Sequence, residues 1–212
     1  MSRGVSARDA LAKLREGNAR FAANARGTGT LITAARRAKL TAAQEPFAIV
    51  LGCSDSRVPV ELVFNQGPGD LFVIRVAGNI VAPSLIGSVE FAADRFGTRL
   101  VVVLGHSSCG AIAATIEELH RPALGSSPHI LDIVDRIRPG VEKIVARHEA
   151  EGALAVEHAV MTANVRASVS NLRHGSDILE QLIESDGLLV VGAEYSLETG
   201  VVEFFEGLPA ER

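Results

Sequence analysis

The sequence predicts an α/β fold of three layers, in which helices flank a central sheet of four parallel strands and one antiparallel strand at its C-terminal edge. Short apolar runs with many β-branched residues recur along the chain, at residues 47–51, 71–76, 100–104 and 188–193. Helical periodicity separates these runs, and alternating strands and helices are the pattern of a parallel sheet. The run at 201–205 follows a turn at 197–200, which indicates a hairpin that adds the antiparallel strand.

The N-terminal part of the chain predicts a helical arm. Apolar spacing favours an amphipathic helix at 6–23, and Ser6 with Asp9 forms a capping box at its start. A loop at 25–30 and a second short helix at 33–43 follow. Because the first helix precedes every strand, we expect it to lie across the body of the fold or across a partner subunit.

The segments between the strands have the spacing of helices. Pro59 begins a short helical segment at 59–63, since proline suits the first turn of a helix. Longer helices are predicted at 84–96, 111–119, 130–150 and 153–184, with Gly152 and Gly175 as breaks and a loop at 121–128. We divide the one predicted domain into a helical arm (1–43), a core with the candidate site (44–120) and a part with helices and the final strands (121–212).

Composition excludes several kinds of partner. The 21 basic and 25 acidic residues give a formal net charge of -4 without a basic stripe, so we expect no nucleic-acid partner. No apolar run approaches the roughly 18 to 20 residues that span a bilayer, so we expect no membrane partner. The first six residues lead into a charged helical pattern and not into an apolar signal core, which favours a cytoplasmic location.

Two chemically informative segments each follow a predicted strand. Cys53 and Asp55 come after the first strand, while His106 and Cys109 come after the third. In an open α/β sheet, the carboxyl ends of adjacent parallel strands converge on one crevice. The segments can therefore bring together two thiols, one imidazole and one carboxylate, a ligand set that suits zinc. These are the only two cysteines of the chain, and burial as small apolar residues is the competing interpretation of either one alone.

The number of protein ligands decides between a structural and a catalytic zinc ion. Cys53, His106 and Cys109 give three ligands and one open position, as in catalytic sites, whereas Asp55 as a fourth ligand would close the centre. Arg57 can hold the Asp55 carboxylate in a bidentate pair and so withhold it from the metal. Water can then occupy the open position, where the ion favours hydroxide at neutral pH, and Asp55 can accept a hydrogen bond from it.

These motifs, Cys-x-Asp-x-Arg followed by His-x-x-Cys-Gly, resemble those of the β-class carbonic anhydrases. The segment at 69–79 is similar to the second-strand region of that family, and the likeness runs from about residue 44 to residue 114. The resemblance implies reversible hydration of carbon dioxide to bicarbonate and a proton by attack of zinc-bound hydroxide. It also implies one Zn2+ per chain and a parallel α/β sheet in a homodimer, sometimes paired into a homotetramer.

The resemblance also implies roles for individual residues. Cys53, His106 and Cys109 match the zinc ligands, with Asp55 as the ligand of the closed form, and Asp55 with Arg57 matches the catalytic dyad. The substrate-binding positions are matched by Gln44, Phe72, Ala77, Phe91 and Gly110. Among them, Gln44 would reach the substrate from the neighbouring subunit.

The resting state predicted from the sequence has Asp55 paired with its arginine and a water or small anion on the metal. Members of the family that rest closed use a bicarbonate pocket containing a Trp, an Arg and a Tyr. Arg75 and Tyr195 match the last two, but Val50 occupies the Trp position and the chain contains no Trp. A bicarbonate ion buried there would lack a hydrogen-bond partner. Gln44 also resembles the subgroup that rests open.

Two other functions are compatible with the same residues. A carbonyl sulfide or carbon disulfide hydrolase would share the fold and the metal ligands and differ in how substrate reaches the site. A non-enzymatic redox switch would join Cys53 and Cys109 in a disulfide, although Asp55 and Arg57 would then have no evident purpose. Sulfide release without carbon dioxide hydration would favour the first, and absence of zinc from the reduced protein would favour the second.

Overall fold

The computed structural model describes residues 4–25, 33–120 and 127–210, so the predicted loops at 25–30 and 121–128 lie mostly outside the described residues. Within these ranges the strands form one sheet in the order β2-β1-β3-β4-β5. The strands are β1 (Ala48–Gly52), β2 (Leu71–Arg75), β3 (Leu100–His106), β4 (Leu189–Tyr195) and β5 (Val202–Glu206). The first four are parallel and β5 is antiparallel to β4, which confirms the predicted fold class.

The helices lie on both faces of this sheet. They are α1 (Ala7–Ala22), α2 (Ala34–Leu40), α3 (Val60–Val63), α4 (Pro83–Arg95), α5 (Gly110–His120), α6 (Pro128–Ile137), α7 (Val141–His148), α8 (Ala153–His174) and α9 (Asp177–Ser185). Alternating residues of the strands supply two separate cores, one packed against α4, α5, α8 and α9 and the other against α1 and α3. Since β1 and β3 are buried along their whole length, they form the centre of the molecule. No helix in the described ranges has both the length and the apolar character needed to cross a membrane.

Helix α1 lies against its own sheet, which selects the first of the two placements expected for it. Ala10 and Leu14 have no exposed surface, and both belong to the core between α1 and the sheet. At Gly17 a Cβ atom would come within 2.0 Å of the Phe64 carbonyl oxygen, so only glycine allows this close approach. The Asn18 amide group donates to the backbone carbonyls of Val63 and Gly200, and its Oδ1 accepts from the backbone N–H of Val202 in β5. Helix α1 is therefore part of the domain body.

The prediction of one continuous helix at 130–150 is wrong, because this segment forms two helices, α6 and α7. Arg138 still has helical φ and ψ angles of -50° and -36°, but Pro139 provides no backbone N–H to continue the helix. Gly140 follows with a φ of 84°, a left-handed conformation that glycine adopts without strain. By contrast, the predicted break at Gly175 is confirmed, since α8 ends at His174 and Ser176 caps α9 through the Leu179 N–H.

Candidate metal centre

The sheet brings the two cysteine-containing segments together at its carboxyl edge. Strands β1 and β3 are hydrogen-bonded neighbours, paired from Ile49↔Val101 to Gly52↔Leu104. Cys53 follows β1 directly, His106 ends β3, and Cys109 immediately precedes α5. Ligand atoms of Cys53, His106 and Cys109 all lie within 4.8 Å of one another, and the three residues are buried. The two segments thus converge at the carboxyl edge of the sheet, as the order of the strands predicted.

The donor set fits a zinc ion. His106 Nδ1 lies 2.9 Å from the Ser107 carbonyl oxygen, an acceptor that fixes the proton on Nδ1. His106 Nε2 therefore presents a lone pair, and in the described part of the chain it is a buried atom without a hydrogen-bond partner. Burial of such an atom is costly unless a ligand satisfies it. With two sulfur atoms beside it, the imidazole completes the soft nitrogen and sulfur set that zinc prefers.

The two thiols hold unequal charge. The hydrogen bond with Cys109 lowers the pKa of the Cys53 thiol to about 4, and smaller contributions come from His106 and from the Gly78 N–H, against the effect of burial. The pKa of Cys109 is raised because its thiol donates to Cys53 and is itself buried. The pair therefore shares one proton, and a dication bound between the two sulfur atoms would favour thiolate at both.

Asp55 and Arg57 form the bidentate pair that the sequence predicted. Arg57 Nε lies 3.0 Å from Asp55 Oδ1 and Nη2 lies 2.7 Å from Oδ2, while the Arg57 backbone N–H also donates to Oδ1 at 2.9 Å. The guanidinium holds the pKa of the Asp55 carboxyl well below its usual range. Arg57 Nη2 donates further to the Ser108 carbonyl at 3.1 Å, so one side chain ties the two motif segments together. Asp55 Oδ2 is 4.0 Å from His106 Nε2.

Arg75 supports the loop after β1 from behind. Its Nε donates to the Cys53 carbonyl at 2.9 Å and its Nη2 donates to the Asp55 carbonyl at 2.6 Å. The sequence comparison had matched Arg75 and Tyr195 to a bicarbonate pocket. In the structure Tyr195 packs near Phe21, with 6.4 Å between ring centroids, and Arg75 is engaged by the backbone of the metal loop. The loop that carries the first motif is thus held in place by two arginines, Arg57 and Arg75.

The turn after β2 contributes a hydrogen bond to sulfur that sequence reasoning missed. The Gly78 N–H donates to Cys53 Sγ at 3.4 Å. Gly78 has a φ of 70°, and a Cβ there would meet Ile137 Cδ1 at 2.9 Å and Ala111 Cβ at 3.0 Å. Both facts require glycine. The carbonyl groups of this turn are in turn bound by two residues of α8, Asn164 and Ser168.

The predicted substrate residues fall into two groups. Ala77 is half-buried and adjoins Gly78, and Gly110 begins α5 directly after Cys109, so both lie at the metal centre of their own chain. Phe72 pairs with Ile49 near the amino end of the sheet, and its ring lies 6.2 Å from that of Phe91, which is 54% exposed. Gln44 is also exposed and precedes the amino end of β1. One chain therefore does not bring Gln44, Phe72 and Phe91 to its own metal ligands.

Comparisons with known proteins agree with this geometry. A family model described as carbonic anhydrase matches residues 48–202. A curated carbonic anhydrase of Mycolicibacterium smegmatis is 37% identical over 190 residues, which are 90% of this chain and 89% of the relative. Coccomyxa β-carbonic anhydrase, solved in complex with acetazolamide, is 27% identical with a TM-score of 0.62, over 79% of this chain and 75% of that one. A chain from two tetrameric β-carbonic anhydrases of Sordaria macrospora shares the fold, with a TM-score of 0.67 at 24% identity over 80% of this chain and 85% of that one.

Proposed function

The chain belongs to the β-class carbonic anhydrases, and on that premise we propose how its own residues carry out the reaction of the family. That reaction is the reversible hydration of carbon dioxide to bicarbonate and a proton. The observation that carries the assignment of residues is the buried group of Cys53, His106 and Cys109 beside the paired Asp55 and Arg57.

Cys53, His106 and Cys109 would hold one Zn2+ per chain. Their buried sulfur and nitrogen atoms, with the free His106 Nε2, are the donor set that supports this. When bound, the ion supplies a Lewis acid that makes water nucleophilic at neutral pH. Three protein ligands, and not four, would leave the ion accessible to water and substrate.

The Asp55–Arg57 pair has two roles in this proposal. Arg57 keeps the carboxylate from becoming a fourth ligand, so the site rests open. Asp55 Oδ2, 4.0 Å from His106 Nε2, accepts a hydrogen bond from the reacting water and directs the free lone pair of that water towards carbon dioxide. Val50, buried in β1, supports the open resting state because an apolar side chain cannot hold a regulatory anion there.

The substrate-binding wall would be completed by a second copy of the chain. Strand β1 alone spans about 16 Å, at about 3.3 Å per residue, and separates Gln44 at its amino end from Cys53 at its carboxyl end. Gln44 therefore contacts substrate only in another subunit, together with Phe72 and Phe91, while Ala77 and Gly110 act in their own chain. A homodimer, or a homotetramer built from two dimers, meets this requirement.

The competing functions lack support of their own. The family model and the curated relatives are described as carbonic anhydrases, and nothing in the site favours carbonyl sulfide or carbon disulfide instead. A disulfide switch needs only the two cysteines. It gives no reason for the contacts of Arg57 with Asp55 and with the Ser108 carbonyl. Such a built site indicates catalysis.

Metal content and carbon dioxide hydration, measured together, test the function. The wild-type protein is expected to carry zinc and to acidify a stopped-flow mixture of carbon dioxide and a pH indicator. Cys109→Ala is expected to lose both properties, because one of the two sulfur ligands is gone. Sulfide release from carbonyl sulfide and carbon disulfide is measured in parallel.

Thr98→Ala is the matched control for these measurements. Thr98 is 3% exposed and its hydroxyl donates to the Pro46 carbonyl at 2.7 Å, at the amino edge of the sheet. This variant loses a buried hydrogen bond at the edge of the sheet opposite the proposed ligands and should keep its zinc, so it controls for the effect of destabilisation on metal content. Zinc-loaded wild-type protein that hydrates carbon dioxide only at the background rate, or a Cys109→Ala variant as active as wild type, would contradict the proposal.

A further inference from the structure

Two buried polar residues of α8 bind carbonyl groups of the turn Ala77–Asn79. Asn164 is 5% exposed and Ser168 is 2% exposed, and their spacing of four residues places them on one face of the helix. Asn164 Nδ2 donates to the Gly78 carbonyl at 2.7 Å, and Ser168 Oγ donates to the Asn79 carbonyl at 3.2 Å. Because burial of an amide or a hydroxyl is unfavourable without a partner, these contacts account for polar residues at both positions.

The surroundings of these two residues are apolar. The other buried residues on this part of α8 are Val160, Met161, Val165, Val169 and Leu172, all packed in the core with the sheet. An apolar residue at 164 would match these neighbours, but it would leave the buried Gly78 carbonyl without its donor. The amide is therefore best explained by what it binds, which is the carbonyl of Gly78 in the metal-side turn.

The orientation of this carbonyl affects the sulfur ligand. Gly78 donates its N–H to Cys53 Sγ at 3.4 Å, and its own carbonyl is the one bound by Asn164. With a φ of 70° and a ψ of 17° at Gly78, the direction of one peptide group sets the direction of the other.

We propose that Asn164 is a positioning residue of the metal centre, which directs the Gly78 N–H at Cys53 Sγ through its hydrogen bond to the Gly78 carbonyl. Ser168 supports the same turn one residue further on. The inference rests on the proposed zinc site and adds to it a residue on a distant helix. Groups that orient or hydrogen-bond a metal ligand typically change metal affinity or activity about 10- to 100-fold.

Asn164→Ala tests this role with two measurements on the metal itself. The first is the rate at which zinc passes to a chromogenic chelator, which we expect to rise about 10- to 100-fold. The second is the thiolate-to-cobalt charge-transfer band of the Co(II)-substituted protein, which we expect to shift because Cys53 loses its N–H donor. Circular dichroism and thermal unfolding establish that the variant is folded.

Asn18→Ala is the matched control. Asn18 is 4% exposed and also donates from its amide to backbone carbonyls, but those belong to Val63 and Gly200, away from the metal ligands. This variant should lose stability while its zinc release and cobalt band stay at wild-type values. A control that loses zinc as fast as Asn164→Ala would show that general destabilisation, and not positioning, explains the result.

Ser168→Ala keeps the test decisive if Asn164→Ala does not fold. It removes the longer of the two hydrogen bonds, so zinc release should rise in the same direction by a smaller factor and the cobalt band should shift less. Zinc release and a cobalt band unchanged from wild type in whichever folded variant is measured would overturn the positioning role. Wild-type protein that takes up no zinc or cobalt at all would instead refute the proposed metal site.

Discussion

The carboxyl and amino edges of the sheet differ in how complete they are within one chain. At the carboxyl edge, Asp55 and Arg57 bind each other, and Arg75 binds the loop that carries them. At the amino edge, Gln44 and Phe91 are exposed. The groups proposed for the chemistry are thus assembled inside one chain, whereas recognition of substrate is proposed to require two.

The largest effect is expected from removing the charge of Asp55. Asp55→Asn keeps the three proposed zinc ligands but has no anionic acceptor for the reacting water, so kcat should fall about 100-fold or more with zinc content unchanged. Stopped-flow hydration and metal analysis of the same samples measure this. Asp132→Asn is the control, because Asp132 is also paired with an arginine, Arg136, but on the surface of α6. Full activity in Asp55→Asn would contradict the proposed role of Asp55 at the carboxyl edge of the sheet.

Arg57→Ala should inactivate the enzyme by a different route. Released from the guanidinium, Asp55 is expected to close onto the metal as a fourth ligand, with activity reduced about 10- to 100-fold. The cobalt spectrum should then report a carboxylate in place of an exchangeable ligand, and a crystal structure should show it directly. A structure in which Asp55 stays away from the metal would refute the proposed role of Arg57.

Mixing two inactive variants tests whether Gln44 and Asp55 of one active site come from different chains. If Gln44 acts in the partner subunit, a dimer of one Gln44→Ala chain and one Asp55→Asn chain contains one intact site. Random mixing of the two variants should then restore about a quarter of wild-type activity, because half of the dimers are mixed and each has one good site of two.

The control for this mixing experiment is the double variant Gln44→Ala/Asp55→Asn combined with Asp55→Asn. That combination contains no chain with an intact Asp55, so no activity should return. Failure of the single variants to complement each other, with subunit exchange verified by mass spectrometry, would place Gln44 outside the substrate site of the partner.

The smallest expected effect on catalysis concerns α1. Asn18→Ala should lower the free energy of unfolding by about 1–3 kcal/mol, because buried backbone groups of α3 and β5 lose their partner. The turnover number should not change. Urea denaturation measures the first quantity, and Glu16→Ala, at an exposed position of the same helix, is the control. A large loss of kcat in Asn18→Ala would show that α1 also acts on the site.

The clustering of the three proposed metal ligands could be predicted from the sequence because their chemistry is restrictive. Few residue types bind zinc, and a ligand that follows a strand of a parallel sheet has a known place at the carboxyl edge. Cys53, His106 and Cys109 needed no further information. The pairing of Asp55 with Arg57 was equally accessible, since both residues lie in one short loop.

The supporting contacts could not be predicted, because they depend on packing between distant segments. Asn164 lies 86 residues from Gly78 in sequence, and a polar residue within a long helix is ordinarily a surface position. Gly17 and Asn18 likewise resemble surface residues of α1 until the close approach of α3 is known. For the break between α6 and α7, by contrast, the sequence does contain a signal, the dipeptide Pro139-Gly140.

The central position of β1 and β3 has a consequence for how the protein acquires its metal. Strands that are buried along their whole length belong to the part of a fold that opens last, and their amides exchange with solvent only in rare global openings. Both motif loops start from these strands. The apoprotein should therefore already be folded, so that metallation follows folding.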